Sequence, residues 1–368
     1  MLLGIDVSTY FDEQQAGAKY FANGVEIDPL EEFKKQGVSH VRIRLWNHPY
    51  DEDGHPYSAG TCDTDLFLKL ASLVVEKYGY RLILDFHYSD FWADPIKQFC
   101  PKAWEKLTFE EVCKALYDFT KATLIKAKEK NLPIDFIQIG NETTNGMSYP
   151  FGQLSESFPR SGYDRLSTLF KNGIKAVKEI YPEARSIIHL ENSQNQEKYR
   201  EYFDALTRYK VDYDIIGMSY YPYWHDSFDA LFANIKMCQK RYQKPVMIME
   251  TGYAFTLEDY INDPSNVPHL AVNNTTLDLT KHLPYPLNEE GQAKFIKKLL
   301  ELAKENDVIG VCYWEPLWIP GEGICWASDA SLKYIHQEGI KSLRNEWSNQ
   351  CFFDYKGNML KAFKEFKK

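Results

Sequence analysis

A chain of 368 residues can build a single (β/α)₈ barrel with enlarged loops, or two ordinary domains. With 44% hydrophobic and 26% charged residues it has the composition of a globular protein with a large core, and a net charge of −9 without any Lys/Arg-rich run argues against nucleic acid as a partner. No stretch approaches the about 20 uninterrupted apolar residues that span a membrane, and seven cysteines without a C-x-x-C pair point to reduced thiols in place of a disulfide framework.

In chain order, residues 1–15 lack a basic start followed by an apolar stretch, so the expected location is cytoplasmic, the alternative being a secreted protein whose signal has been removed. Eight short apolar runs are predicted as strands: Gly4–Ser8, His40–Trp46, Arg81–Tyr88, Phe136–Glu142, Ser186–Asn192, Ile215–Tyr221, Pro245–Thr251 and Gly310–Pro316. Helical periodicity lies between most of them, at 65–77 (Leu66, Leu70, Leu73, Val74), 109–129, 164–180 and 288–305. In the last, Ile296, Leu299, Leu300 and Ala303 fall on one helix face, Asn288 is the predicted N-cap, and Glu289 and Glu290 suit the first turn. Alternation repeated eight times predicts an α/β fold, a single (β/α)₈ TIM barrel forming one catalytic domain over residues 1–368. A doubly wound sheet would carry a nucleotide fingerprint, and no G-x-G-x-x-G or P-loop pattern follows any run. The longest connection without periodicity, 254–287, follows the run that ends in Glu250 and is expected to wall a cleft.

In such a barrel the polar residues at the C-terminal strand ends meet at one mouth. The runs deliver Asp6; Arg42, Arg44, Trp46 and Asn47; Asp85, His87, Tyr88 and Asp90; Asn141 and Glu142; Glu191 and Asn192; Tyr220 and Tyr221; Glu250; and Trp314 and Glu315. Any one of these has a structural explanation as a salt bridge or a cap, but packing alone does not account for all eight runs ending so. Glu142 and Glu250 form the pair that glycosidic cleavage needs, one acid kept protonated and one carboxylate kept ionised. The Asn141 amide is placed to hold a ring hydroxyl. Arg44, with Tyr220 or Tyr221, is expected to donate to Glu250, and Trp314 to floor the sugar ring. Aromatic residues make up 15% of the chain, and the run Tyr220-Tyr221-Pro222-Tyr223-Trp224 has more polar-tipped rings than a core requires. His48, His55, His189, His225, His269, His282 and His336 form no ligand spacing, and neither H-E-x-x-H nor G-x-S-x-G occurs, which argues against a zinc site and a serine nucleophile.

These residues sit in segments that resemble glycoside hydrolase family 53, the endo-β-1,4-galactanases. The segments are Gly4–Ser8, Val41–Asn47, Leu84–Pro95, Gln138–Glu142, Ile216–His225, Met249–Tyr253 and Gly310–Trp318, in order over nearly the whole chain. The resemblance implies Glu142 as general acid/base and Glu250 as nucleophile of a retaining reaction, their carboxyls about 5–5.5 Å apart. It makes Arg44, His87, Asn141, Tyr220 and Trp314 the shell of the sugar under attack, and Asp90, Trp92, Asp94, Trp224, Glu315 and Trp318 cleft-lining contacts; the strand-end residues Asp85 and Tyr221 are expected substrate contacts as well. The implied partner is β-1,4-galactan or galacto-oligosaccharide, acted on by a monomer that needs no cofactor. Bacterial members often bind calcium in the loop after the nucleophile. Here Thr256–Pro264 lacks the alternating Asp, His and Asn pattern, so although Asp259, Asn262 and Asp263 offer oxygens, the loop is expected to be ion-free. The alternatives are another β-glycanase of the same clan, acting on mannan or glucan, and a non-catalytic sugar-binding barrel.

Overall fold

The computed structural model describes residues 1–58, 60–262, 269–274, 283–335 and 343–368. Eight parallel strands close a barrel: β1 (Leu2–Asp6), β2 (His40–Leu45), β3 (Arg81–Phe86), β4 (Ile134–Ile139), β5 (Arg185–Leu190), β6 (Ile215–Tyr220), β7 (Val246–Thr251) and β8 (Gly310–Tyr313). Each neighbours the next in sequence, and β8 pairs back onto β1 with Leu2 opposite Gly310. Helices α1 (Pro29–Lys35), α2 (Thr64–Tyr78), α3 (Phe109–Glu129), α4 (Tyr163–Ile180), α5 (Gln196–Arg208), α6 (Phe228–Tyr242) and α7 (Glu289–Glu305) alternate with the strands.

Local sequence explains these elements. The α7 face Ile296, Leu299, Leu300 and Ala303 is buried, and the Asn288 side chain caps the helix by accepting from the Gly291 N–H at 2.8 Å. Thr108 and Glu111 cap α3 reciprocally, Thr108 N–H donating to Glu111 Oε2 at 2.8 Å. Ile83, Phe136, Ile187, Ile215, Met247, Met249 and Cys312 come from six different strands yet form one buried cluster, as only side chains pointing into the barrel can. All seven cysteines are free. Among the described residues no helix is long and apolar enough to cross a membrane.

All the strands but β7, which ends at Thr251 as its run does, stop earlier than their apolar runs. Tyr88, Glu142, Asn192 and Glu315 lie two or three residues past β3, β4, β5 and β8, and all four hold a left-handed backbone, with φ of 51°, 45°, 54° and 44°. Such a residue costs about 1–2 kcal/mol relative to the right-handed region; others of the kind, among them Asn131, Lys210, Gln243 and Asp307, follow helices on the opposite side of the barrel. In the 254–287 segment, Asp259 accepts from the Ile261 and His269 N–H groups at 2.9 Å each. Asp263 and His282 of the same segment, and His336, lie outside the described residues.

Candidate active site

Glu250 reaches the mouth through an irregularity in β7. Met218 of β6 pairs with Ile248, but the next residue, Ser219, pairs with Glu250, so Met249 is an extra residue on β7. Met249 already points into the barrel, and strict alternation would send Glu250 outward; the bulge turns it back in. There its Oε1 lies 3.0 Å from the Arg42 guanidinium and its Oε2 accepts from the Tyr221 hydroxyl at 3.0 Å. Arg42 is itself buried, donating to Asp6 (3.0 Å), Asp85 (2.7 Å), Gln138 (3.1 Å) and Asn141 (2.9 Å). Burial raises the Glu250 carboxyl above its usual range, Arg42 opposes that rise, Asp85 and Asp6 add to it, and Tyr221 again opposes.

Glu142 has less help. Among the described residues its carboxyl accepts from one protein group, the Ser219 hydroxyl, at Oε1. Ser219 stands directly across from Glu250 on the neighbouring strand, so the serine that bonds one acid is in register with the other. Burial, then the charge of Glu250, pushes Glu142 well above the ordinary carboxylate range, with Glu191 and Asp94 adding and only Ser219 opposing. Of the two acids, Glu250 has a cation and a phenol to hold its charge, and Glu142 has one hydroxyl. The pair is therefore biased towards a protonated Glu142 beside an ionised Glu250.

The remaining expectations divide. Arg44 does not donate to Glu250. It donates to Glu315 Oε1 at 2.6 Å and to Gly60 O at 3.2 Å, with its guanidinium 4.3 Å from the Trp92 ring centre; the arginine on Glu250 is Arg42. Tyr220 also turns away, donating to Asp226 O and packing on Phe228 and Phe295, because it faces the helices while Tyr221 faces the mouth. Glu315 is fully buried between Arg44 and Thr9 and is thus a structural partner, not a lining residue. Asp90 pins two loops through the His48 and Lys102 N–H groups. Asp94 caps a turn through Ile96 and Lys97. Trp318 is buried behind Trp92 and Trp314. His87 spends both nitrogens inside the protein: Nδ1 accepts from Trp46 Nε1 at 3.0 Å, so the ring proton sits on Nε2 and is donated to Asp85 at 3.0 Å. Asn141, next to Glu142 in the chain, donates to Ala93 O and accepts from Arg42 and Gln138. Trp314 is half-buried and Trp224, at 43% exposed, presents its ring to solvent. Four contributors escaped sequence reasoning: Gln138, His189, Ser219, and Trp347, whose ring lies edge-on to Tyr221 and Trp314. The first three are inward strand residues that alternation flags; Trp347 follows the last strand in a segment with no pattern to mark it.

Two buried carboxylates of unlike surroundings at the mouth of a (β/α)₈ barrel define a class, and the protein is a glycoside hydrolase. Comparison with known proteins narrows this: the profile of glycosyl hydrolase family 53 matches residues 2–366, and the chain belongs to that family. It is 32% identical to a Bacillus subtilis (strain 168) protein named endo-beta-1,4-galactanase, over 99% of this chain and 84% of that one. It is also 32% identical to the Cellvibrio japonicus (strain Ueda107) arabinogalactan endo-beta-1,4-galactanase, over 99% and 90%. The solved Ignisphaera aggregans GH53 catalytic domain superposes with a TM-score of 0.87 at 34% identity, covering 99% of this chain and 95% of that one.

Proposed function

We propose that the protein is a retaining endo-β-1,4-galactanase acting as one catalytic barrel. Glu250 attacks the anomeric carbon, Glu142 gives its proton to the departing glycosidic oxygen, and a covalent galactosyl-enzyme forms. Glu142, now ionised, takes a proton from the water that releases the sugar from Glu250. The observation that carries this reading is the unequal support of the two acids: the Arg42 ion pair and the Tyr221 hydroxyl on Glu250, and, among the described residues, the Ser219 hydroxyl alone on Glu142. The galactanase names of the relatives support the substrate.

An endo enzyme must hold chain on both sides of the cut. A groove of about 640 Å³ is formed by the loops after β3 and β4 and the start of α5, with Ile96, Asn145, Tyr149, Phe158, Arg160 and Lys198 among its walls. It borders the loop that carries Glu142, through Asn145, although neither acid lines it, and its size is that of a ligand site. We assign it the reducing-end portion of the chain. No ion enters this reading, since Asp259 commits its carboxylate to backbone N–H groups; chelation is expected to leave turnover unchanged.

The test is a time course on β-1,4-galactan, with mannan and glucan in parallel. Mixed oligomers early, from galactan only and first released as the β-anomer, are expected. Cleavage of mannan or glucan with galactan untouched would move the assignment to another β-glycanase, and binding without turnover would make the chain a sugar-binding barrel.

A further inference from the structure

Inside the barrel, His189 on β5 is fully buried and touches no cleft surface. Its Nε2 lies 2.8 Å from Ser219 Oγ, and its Nδ1 lies 3.1 Å from Gln138 Nε2 and 2.9 Å from Asn141 Oδ1. Ser219 therefore stands between His189 and Glu142 Oε1 with a single hydroxyl proton to share. We propose that His189 is a positioning residue whose ring proton decides which oxygen of Glu142 carries the acid proton. The proposal rests on the reading of Glu142 as the acid.

The single hydrogen of Ser219 ties the ring tautomer to the charge of Glu142. Burial first, then the charges of Arg42, His87 and His225, presses the His189 pKa well down, so the ring is neutral and holds one proton. When Glu142 is ionised, Ser219 must donate to it, and the serine oxygen can then only accept from His189, which places the ring proton on Nε2. Nδ1 is then an acceptor for the Gln138 amide, whose orientation Arg42 sets by donating to Gln138 Oε1 and whose two hydrogens are shared among Nδ1, Gly140 O and Asn141 Oδ1. In that tautomer a directional chain results, Arg42 to Gln138 to His189 to Ser219 to Glu142 Oε1, and the same guanidinium forms an ion pair with Glu250. Because Oε1 is occupied as an acceptor, a proton taken up by Glu142 settles on Oε2, available to the glycosidic oxygen. The other tautomer, with Nδ1–H donating to Asn141, would draw the serine proton to Nε2. It would then hold the acid proton on Oε1, facing Ser219 and away from the substrate. Besides Ser219, the groups that act on Glu142 are Glu250, Glu191 and Asp94, none of which belongs to this chain of donors.

The test compares a substrate whose leaving group needs protonation with one that does not: β-1,4-galactan against 2,4-dinitrophenyl β-galactobioside. Ser219→Ala and His189→Leu are expected to lower kcat/KM, which reports the steps up to the galactosyl-enzyme, about 100-fold on galactan and less than 10-fold on the aryl substrate. The alkaline limb of the galactan profile should move to higher pH, because Glu142 loses the donor that favours its anion. His189→Gln, whose amide can place an N–H where Nε2 stood, should recover most of the galactan rate. Equal losses on both substrates, or an unmoved alkaline limb in Ser219→Ala, would overturn the proposal. So would ¹⁵N NMR of the unmodified protein finding the His189 proton on Nδ1 at a pH where Glu142 is ionised. Glu142→Ala is the control: if it lacks the leaving-group selectivity, the acid assignment itself fails, whereas selectivity there and none in the Ser219 and His189 variants removes only the relay.

Discussion

Arg42 and Arg44 stand two residues apart on β2 and point into the same interior, yet they serve different carboxylates, Glu250 and Glu315. A strand's period of two shows that both face inward, but depth is set by the stagger of the closed barrel, which no single strand displays. The choice between Tyr220 and Tyr221 was a matter of parity of the same kind. Arg42→Lys puts this to a test. A lysine is a point charge that cannot span Asp6, Asp85, Gln138, Asn141 and Glu250. Arg42 holds the Glu250 pKa down, so its loss lets that value rise, and the nucleophile protonates at a higher pH. The acid limb of kcat/KM is expected to shift upward, with a loss at the optimum on the order of 100-fold. An unmoved acid limb would mean that Arg42 does not tune the nucleophile.

At the scale of elements, the eight strands and the helices between them were legible because each apolar run is short, the stretches between keep a 3.6-residue period, and Asn288 reads as a cap. The placement of Glu142 and Glu250 was legible for the same reason, since an acid that ends an apolar run has nowhere to go but the rim. The β7 bulge was not, because an inserted residue shows only in the register against β6. Nor was the close packing beneath it visible. A Cβ on Gly217 of β6 would lie 2.8 Å from Met249 Cγ and 2.9 Å from Ile187 Cγ2, and 3.3 Å from the His189 Cα. Gly217→Ala therefore has to move β5 or β7, the strands that carry His189 and Glu250. Overpacking of this kind costs about 1–3 kcal/mol. Thermal unfolding should show the loss, and kcat/KM should fall with it. Full stability and activity in this variant would show that the barrel interior yields more easily than its contacts imply.

For the molecule as a whole, the interior of the barrel is a store of unfavourable charge. Asp6, Glu13, Asp85, Glu142, Glu250 and Glu315 are buried there or just above, against the guanidiniums of Arg42 and Arg44. Burial raises Glu13 and Glu142 well above the ordinary carboxylate range, Glu250 to about 7 and Glu315 to about 8. A carboxyl raised in the folded state holds a proton that the unfolded chain releases near pH 4. Its contribution to stability is complete below that pH and is lost as pH rises through the folded value. Folding stability is thus expected to decline between about pH 4 and pH 8 on account of these groups. Glu142→Gln isolates the effect, for the amide resembles the protonated acid and still lets Ser219 donate to an oxygen. It should match the parent at pH 4, and at pH 8 it should be more stable by about 0.5–2 kcal/mol, while hydrolysis of galactan is lost. Thermal unfolding at the two pH values reads the difference directly. A gain of equal size at both would place the stabilisation in packing, and a less stable variant at pH 8 would show that the ionised acid is held more favourably than its single serine donor allows.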